Sequence, residues 1–461
     1  MTAQPKLKFL DTTLYTIVMN TGLRWLPVAA AVGPAALPLW LVALVVFFIP
    51  LATATAELTG RFEGEGGIYS WVRETYGPLA GFLCGFFYWF GLMPYFAGIL
   101  YFLSGLLMAA LGLDPHNTAL YLGFSIVLAV LVTAVQFVGL SVSKWLPSFG
   151  TIASWLIFFA LAAIALFVAA HGHSATDFRT SSYRLPLNFD TAILWGTIVF
   201  AYSGIEAVAF LKSEIEGGMR TILRVLAIVG VAIAILYVVG TAAMLVILPA
   251  SQMTRLGGFA DVLHAVFAAG GIAQLAPFAI AFLALSMLGG LTAWFGAGAR
   301  LLFAGGMDNV LPPWLAHRSA RTGAPIPALV LQGGLMIVMV ILGQAGASAQ
   351  VAYDFLVSMS VLTNTICYVF VFAVYLRLHR TETAGWRPPG GATTGLVLGV
   401  MGQTATLVAI ACTLVPSAGD AHPLQTFAKI AIATLAMVVV GVVLYWLAAN
   451  RRPAERVVSG A

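Results

Sequence analysis

The sequence predicts an all-α polytopic membrane protein with twelve transmembrane helices. Of its 461 residues, 61% are hydrophobic and 8% charged, and the mean hydropathy is +0.98. A soluble domain carries about 45–50% apolar and about 25% charged residues, so a large soluble protein is excluded. Apolar windows of about 20 residues, the length that crosses a bilayer, recur at 12–36, 38–60, 78–111, 118–139, 147–170, 189–212, 220–248, 272–303, 325–344, 350–378, 393–416 and 422–449. The connections between them are short and hold Gly, Pro, Asp and His, with no soluble domain.

The polar segment 1–11 precedes the first span without a small-residue cleavage site, so no signal peptide is expected. The first span then breaks the rules for one. In "IVMNTGLRWLPVAA" (residues 17 to 30), Gly22, Arg24 and Pro27 interrupt the apolar run. An arginine at mid-membrane costs roughly 2.5–3.5 kcal/mol on insertion scales, and glycine and proline weaken the backbone ladder that lipid demands. The second span ends with Glu57 and Arg61, four apart on one helix face; they are candidates for an inner gate or for an ordinary interfacial pair. The third, too long for an upright helix, must tilt or kink at Pro94. Trp89 and its neighbours in "GFFYWFGLMPYF" (residues 85 to 96) are candidates to line a cavity or to face lipid or the interface. The eighth carries Trp294, a candidate lid. Cys84, Cys367 and Cys412 lie in separate runs and read as reduced, packing thiols, with neither metal nor cofactor implied. All seven histidines fall in loops or at membrane edges, which argues against a histidine relay across the membrane.

Orientation follows from the basic residues. With the N-terminus inside, 17 of the 22 Lys and Arg face the cytoplasm, four face outward and Arg24 lies within the membrane. That bias places both termini, including the tail 450–461, on the cytoplasmic side of a cell inner membrane. It also accounts for the formal +5 charge without a nucleic-acid partner; the bilayer is the partner implied.

A broken span seldom stands alone, because transporters built from inverted repeats open each half with a discontinuous helix. Five spans on, "WGTIVFAYSGIEAVAFLKSEI" (residues 195 to 215) aligns Ser203-Gly204-Ile205-Glu206 with Thr21-Gly22-Leu23-Arg24. Packing notches would explain the two glycines but not opposite charges at matching positions. The repeats so defined span 12–170 and 189–378, followed by 393–449. Unwinding leaves N–H groups at one half-helix and C=O groups at the other, so a carboxylate suits one break and an ammonium the other. An α-amino acid carries both.

Three motifs bring the chain close to a known family. "AELTGRFEGEGGIYSWVRETYG" (residues 56 to 77), "FAYSGIEAVAFLKSEI" (200 to 215) and "GARLLFAGGMDNVLPPWLA" (298 to 316) resemble signatures of the amino acid–polyamine–organocation transporter superfamily. The proline-containing first span and "FIPLATATAELTGRFEGEGGIYSWV" (48 to 72) look most like its glutamate/γ-aminobutyrate antiporter branch. The resemblance implies a five-plus-five inverted repeat, two accessory helices and alternating access between discontinuous helices 1 and 6. Carried over by position, substrate backbone groups meet Asn20, Thr21, Gly22 and Leu23 on helix 1, and Phe200, Ala201, Tyr202, Ser203 and Gly204 on helix 6. The sequence departs from the family pattern at Arg24 and Trp25, where helix 1 usually continues in small residues. Some relatives place a lysine within helix 5 where others bind sodium; here the position falls near Ser154, with Lys144 only at the helix entrance. Exchange or Glu206-dependent proton movement therefore stands ahead of sodium coupling.

The expected function is secondary active transport of an amino acid, with a polyamine or other amine as the alternative substrate. Arg24 and Glu206 are expected on opposite sides of one cavity, either as a static ion pair or with Arg24 on a substrate carboxylate. Enzyme motifs are absent: no H-E-x-x-H, G-x-S-x-G or P-loop occurs. A channel would need a ring of charges or carbonyls. A non-transporting sensor with the same fold needs a signalling domain, and only a short basic stub follows Trp446.

Overall fold

The computed structural model describes residues 7–62, 67–114, 116–138, 145–179, 183–184, 189–304, 310–344, 348–381, 386–414 and 423–450. Expectations resting on residues 1–6, 63–66, 144, 305–309 and 451–461, which include parts of two family motifs, Lys144 and the basic tail, lie outside these. Among the described residues every regular element is helical, with one isolated bridge between Leu7 and Ile215.

Among the described residues, eleven helical segments are long and apolar enough to cross a bilayer, and each coincides with a predicted span from the second onward. In chain order the helices are α1 (Phe9–Asn20), α2 (Trp25–Ala30), α3 (Ala36–Arg61), α4 (Ile68–Tyr76), α5 (Pro78–Ala110), α6 (Thr118–Phe137), α7 (Trp145–Ala170) and α8 (Phe189–Ala201). A 3₁₀ segment (Ile205–Glu214) continues the sixth span. There follow α9 (Gly218–Ile247), α10 (Gly258–Ala269), α11 (Ala276–Ala304), α12 (Ile326–Gln344), α13 (Ala349–Thr381), α14 (Gly391–Thr413) and α15 (Pro423–Ala449). The first predicted span is not among the eleven, because it is two short helices instead of one.

Helix α5 runs unbroken through Pro94 for 33 residues, about 50 Å at 1.5 Å per residue, so it exceeds the roughly 30 Å hydrocarbon core. It is apolar on all sides and mostly buried, with α13 packed along it, as expected of a central helix. Helices α7 and α15 instead expose Leu156, Phe159, Leu166, Leu435, Val439 and Trp446, the surface that lipid covers. Two elements escape a search for 20-residue apolar windows. Helix α4 buries Ile68, Tyr69, Trp71 and Val72, and α10 buries Phe259, Ala260, Val262 and Leu263; both are amphipathic and too short to span. The broken elements meet at the centre. Helix α1 packs on the 3₁₀ segment, and α2 packs on α8.

Candidate functional site

The break in the first span has local causes. Asn20 turns its Nδ2 back onto the Thr16 carbonyl at 2.8 Å, and Thr21 is extended, at φ −83° and ψ 106°. Beyond the break, i→i−3 turns (Trp25 N to Gly22 O, 2.9 Å; Leu26 N to Leu23 O, 3.1 Å) restart the helix. Pro27, with no N–H, cannot close the regular bond to Leu23. In the sixth span α8 ends at Ala201 and Gly204 adopts the left-handed φ of +106°, which favours glycine. Glu206 then accepts the Gly204 N–H on Oε2 at 3.0 Å, so the carboxylate caps the break it follows.

Unwound carbonyls in a membrane need donors, and neighbouring helices supply them. Trp294 Nε1 donates to Met19 O at 2.7 Å. The Tyr237 hydroxyl lies 3.0 Å from Asn20 O and 2.9 Å from Ala201 O. One proton cannot fully serve both, so at the meeting of the breaks an acceptor is left over. Asn20 Oδ1 and Thr21 Oγ1 are buried without a partner.

Between the breaks lies a partly open cavity. It is lined by Met19, Asn20, Thr21, Gly22 and Trp25 from the first span, by Tyr88, Leu92 and Tyr95 from α5, and by Phe200, Ala201, Ser203 and Gly204 from the sixth. Trp294 of α11 and Asn364 and Tyr368 of α13 complete the wall. Eight of the residues nominated from sequence are therefore here: Asn20, Thr21, Gly22, Phe200, Ala201, Ser203, Gly204 and Trp294. Leu23 and Tyr202 are buried behind the wall. Trp89 faces neither cavity nor lipid; it is buried and donates to Gln332 Oε1 at 3.1 Å. Within the stretch 85–96 nominated around Trp89, the residues that line the cavity are Tyr88, Leu92 and Tyr95, whose i, i+4, i+7 spacing marks one helix face; sequence reasoning missed Asn364 and Tyr368.

Arg24 and Glu206 flank this cavity from behind its walls and do not form the ion pair weighed above. Glu206, fully buried, accepts on Oε1 from the hydroxyls of Tyr88 and Tyr368, both at 2.8 Å. With the Gly204 N–H on the other oxygen, its charge is met by three donors. Arg24 is 2% exposed, and its guanidinium carbon lies 4.0 Å from the Trp25 ring and 4.7 Å from that of Tyr95. Its Nη1 and Nη2 meet no acceptor at full hydrogen-bond geometry among the described residues, but the buried hydroxyls of Tyr95 and Tyr353 face the guanidinium. Tyr88 and Tyr95, seven residues apart on α5, place these charges at ends of the cavity about 10 Å apart. A static pair fails because α5 holds the charges one at each end. Chemically the site offers a cation without an ion-pair partner behind aromatic rings at one end, orphan acceptors at the breaks, and a carboxylate already engaged by three donors at the other end. A carboxylate–ammonium zwitterion complements the first two.

Glu57 and Arg61 do pair, at 2.5 Å, and are joined by His379, which is buried. The three cysteines are free, with Cys84 and Cys367 buried.

A family model described as amino acid permease matches residues 7–443. A glutamate/γ-aminobutyrate antiporter of Lactococcus lactis is 23% identical, over 81% of this chain and 77% of its own. A probable agmatine/putrescine antiporter of the same species is 21% identical, over 78% of this chain and 76% of its own. Among solved structures, a manganese transporter of Eremococcus coleocola superimposes with a TM-score of 0.56 at 11% identity, covering 96% of this chain and 94% of that one.

Proposed function

Because the chain belongs to the amino acid permease family, we propose that it transports an amino acid across the cytoplasmic membrane by alternating access, as an exchanger or with proton linkage. One observation carries the reading: two adjacent helix breaks enclose a cavity, and behind one end of it a buried guanidinium has aromatic rings and tyrosine hydroxyls beside it but, among the described residues, no ion-pair partner. On this reading the chain crosses the membrane twelve times, with α1 and α2 as a discontinuous first crossing. Residues 12–170 and 189–378 are inverted repeats, 393–449 form accessory helices, and both termini are cytoplasmic. The substrate carboxylate reaches the helix 1 break and Arg24. The ammonium takes Asn20 Oδ1 and whichever of Asn20 O and Ala201 O the Tyr237 proton leaves free.

The antiporter relatives include one for diamines, yet a diamine fits this cavity poorly. Among the described residues no carboxylate lines it, and Glu206 is already engaged by three donors. Amino acids therefore stand ahead of polyamines. Thermal-shift screening against both classes tests the order, since a ligand raises stability by RT ln(1 + [L]/Kd). Stabilisation by putrescine or agmatine but by no amino acid overturns it.

Exchange predicts that proteoliposomes preloaded with unlabelled substrate take up label several-fold faster than empty ones. Equal rates that follow an imposed ion gradient would assign symport instead, and ligand stabilisation without flux would assign a sensor. In Glu206→Gln the amide oxygen still accepts both tyrosine hydroxyls, but its nitrogen cannot accept the Gly204 N–H. Loss of such a cap costs about 0.5–2 kcal/mol. The variant is expected to retain exchange at reduced rate with a flattened pH profile; a profile parallel to wild type removes Glu206 from proton movement.

A further inference from the structure

At the end of α3 lies a second buried polar cluster, outside the substrate cavity. Glu57 is fully buried and His379, in the last turn of α13, is 2% exposed. Arg61 Nη2 donates to Glu57 Oε1, and Arg61 Nη1 reaches the Leu378 carbonyl at 3.3 Å. Nδ1 of His379 lies 3.0 and 2.9 Å from the two Glu57 oxygens, while its Nε2 lies 2.9 Å from the carbonyl of Ala392 on α14. The ring packs against the bare Cα of Gly395 and under the Tyr375 ring, 5.2 Å between centroids. Arg387 Nη2 lies 3.5 Å from the His379 carbonyl.

Both ring nitrogens thus face acceptors. A carbonyl can only accept, and the Glu57 carboxylate accepts from Arg61 as well. A neutral imidazole has one N–H and would leave its bare nitrogen against oxygen in a buried site, where an unmet polar contact is expensive. Two N–H groups satisfy every contact. Among the described residues, the charged and titratable groups that face the ring are Glu57 and Arg61 from α3, Tyr375 from its own helix and Arg387 from the segment before α14, while α14 offers it a backbone carbonyl and a glycine.

The position gives this proton leverage. Lys212, at the end of the 3₁₀ segment that begins after Gly204, donates to Thr59 O and Phe62 O at 2.8 and 2.7 Å. The end of α3 is therefore fastened on one side to the broken sixth span. On the other it is fastened through His379 to α13, the helix that carries Asn364 and Tyr368 to the cavity, and to α14.

We propose that Glu57, Arg61 and His379 form a proton-binding latch: an imidazolium at His379 ties the end of α3 to α13 and α14, and loss of that proton releases it. Its use as an inner gate rests on the transport reading above; the proton site and the release do not. The test uses the full chain in lipid nanodiscs with ¹⁵N-labelled histidine, the His379 signal being the one missing from His379→Gln. At neutral pH that signal is expected to report two protonated nitrogens, and in Glu57→Gln one bare nitrogen. A wild-type ring with a bare nitrogen overturns the proposal. Hydrogen exchange at residues 55–62, corrected for intrinsic rate, reads the release. Protection is expected to fall as the pH rises through the ring's titration, and to be low at every pH in His379→Gln. Protection that ignores pH, or a variant protected like wild type, overturns the latch. Neither readout needs flux, so failure of transport itself is scored separately in proteoliposomes.

Discussion

Arg24→Ala is expected to weaken substrate binding by about 2–5 kcal/mol, about 30- to 5,000-fold in Kd, without preventing insertion or folding. A guanidinium at 2% exposure, with no ion-pair partner among the described residues, is a charge buried behind the cavity wall. The faces of Trp25 and Tyr95 offset it, a contribution of about 2 kcal/mol when desolvated, and the hydroxyls of Tyr95 and Tyr353 lie beside it. A residue that stabilised the fold would have its donors filled; one held for a ligand has them empty. Substituting alanine removes that buried charge and leaves no new one behind. The ligand-free variant should therefore melt no lower than wild type, while the stabilisation by substrate disappears. Arg24→Lys keeps the charge but loses the planar two-pronged donor, and belongs between the two. Because Glu206 is held by Tyr88, Tyr368 and Gly204, the double variant Arg24→Ala/Glu206→Ala should not recover transport. Recovery, or an Arg24→Ala protein that binds as tightly as wild type, would return Arg24 to a structural role. Binding is read by calorimetry and folding by thermal unfolding in the same detergent.

The difference between legible and hidden features here is one of range. Spans were legible because a bilayer imposes a length and composition on each segment separately. The breaks were legible because Gly22, Pro27 and Gly204 act on their own backbone within a turn. What Arg24 and Glu206 do was not, since it depends on residues far along the chain. Tyr88 and Tyr368 stand 118 and 162 positions from Glu206, and only the packing of α5 and α13 against the sixth span brings them to it. Matching charges at matching repeat positions suggested a pair, but the local pattern holds no information on the depth at which each charge settles. His379 shows the same limit. Its place at a helix end was readable, whereas its burial between Glu57 and Ala392 comes from where α14 lies. Helices α4 and α10 were missed because they bury only one face and are too short for a spanning window.

Gly204→Val is expected to abolish binding, beyond about 100-fold, from about 3 kcal/mol of strain and overlap. The left-handed φ of +106° is imposed from both sides. The Gly204 N–H is held by Glu206 Oε2, and the Gly204 carbonyl accepts from Ala207 N at 3.1 Å. A β-branched residue cannot adopt that conformation without strain. Its Cβ would also stand 2.9 Å from Trp294 Cζ2 and 3.4 Å from Asn20 Oδ1. Trp294 cannot simply withdraw, because its Nε1 satisfies the Met19 carbonyl at the end of α1. The substitution therefore disturbs both breaks through one side chain: it crowds the orphan acceptor on helix 1 and tilts the indole that covers it. Gly22→Val meets the Trp25 indole instead, which lies under Arg24, so it should impair binding at the opposite end of the cavity. Expression of either variant should persist, since apolar segments of unchanged length still insert. Gly204→Ala, with the same φ penalty but no branch, separates strain from filling. If alanine alone costs as much as valine, the conformation of the break is what substrate needs. If alanine is mild and valine abolishes binding, the space is. Full uptake by both Gly204→Val and Gly22→Val would show that the glycines are packing notches and that substrate binds elsewhere.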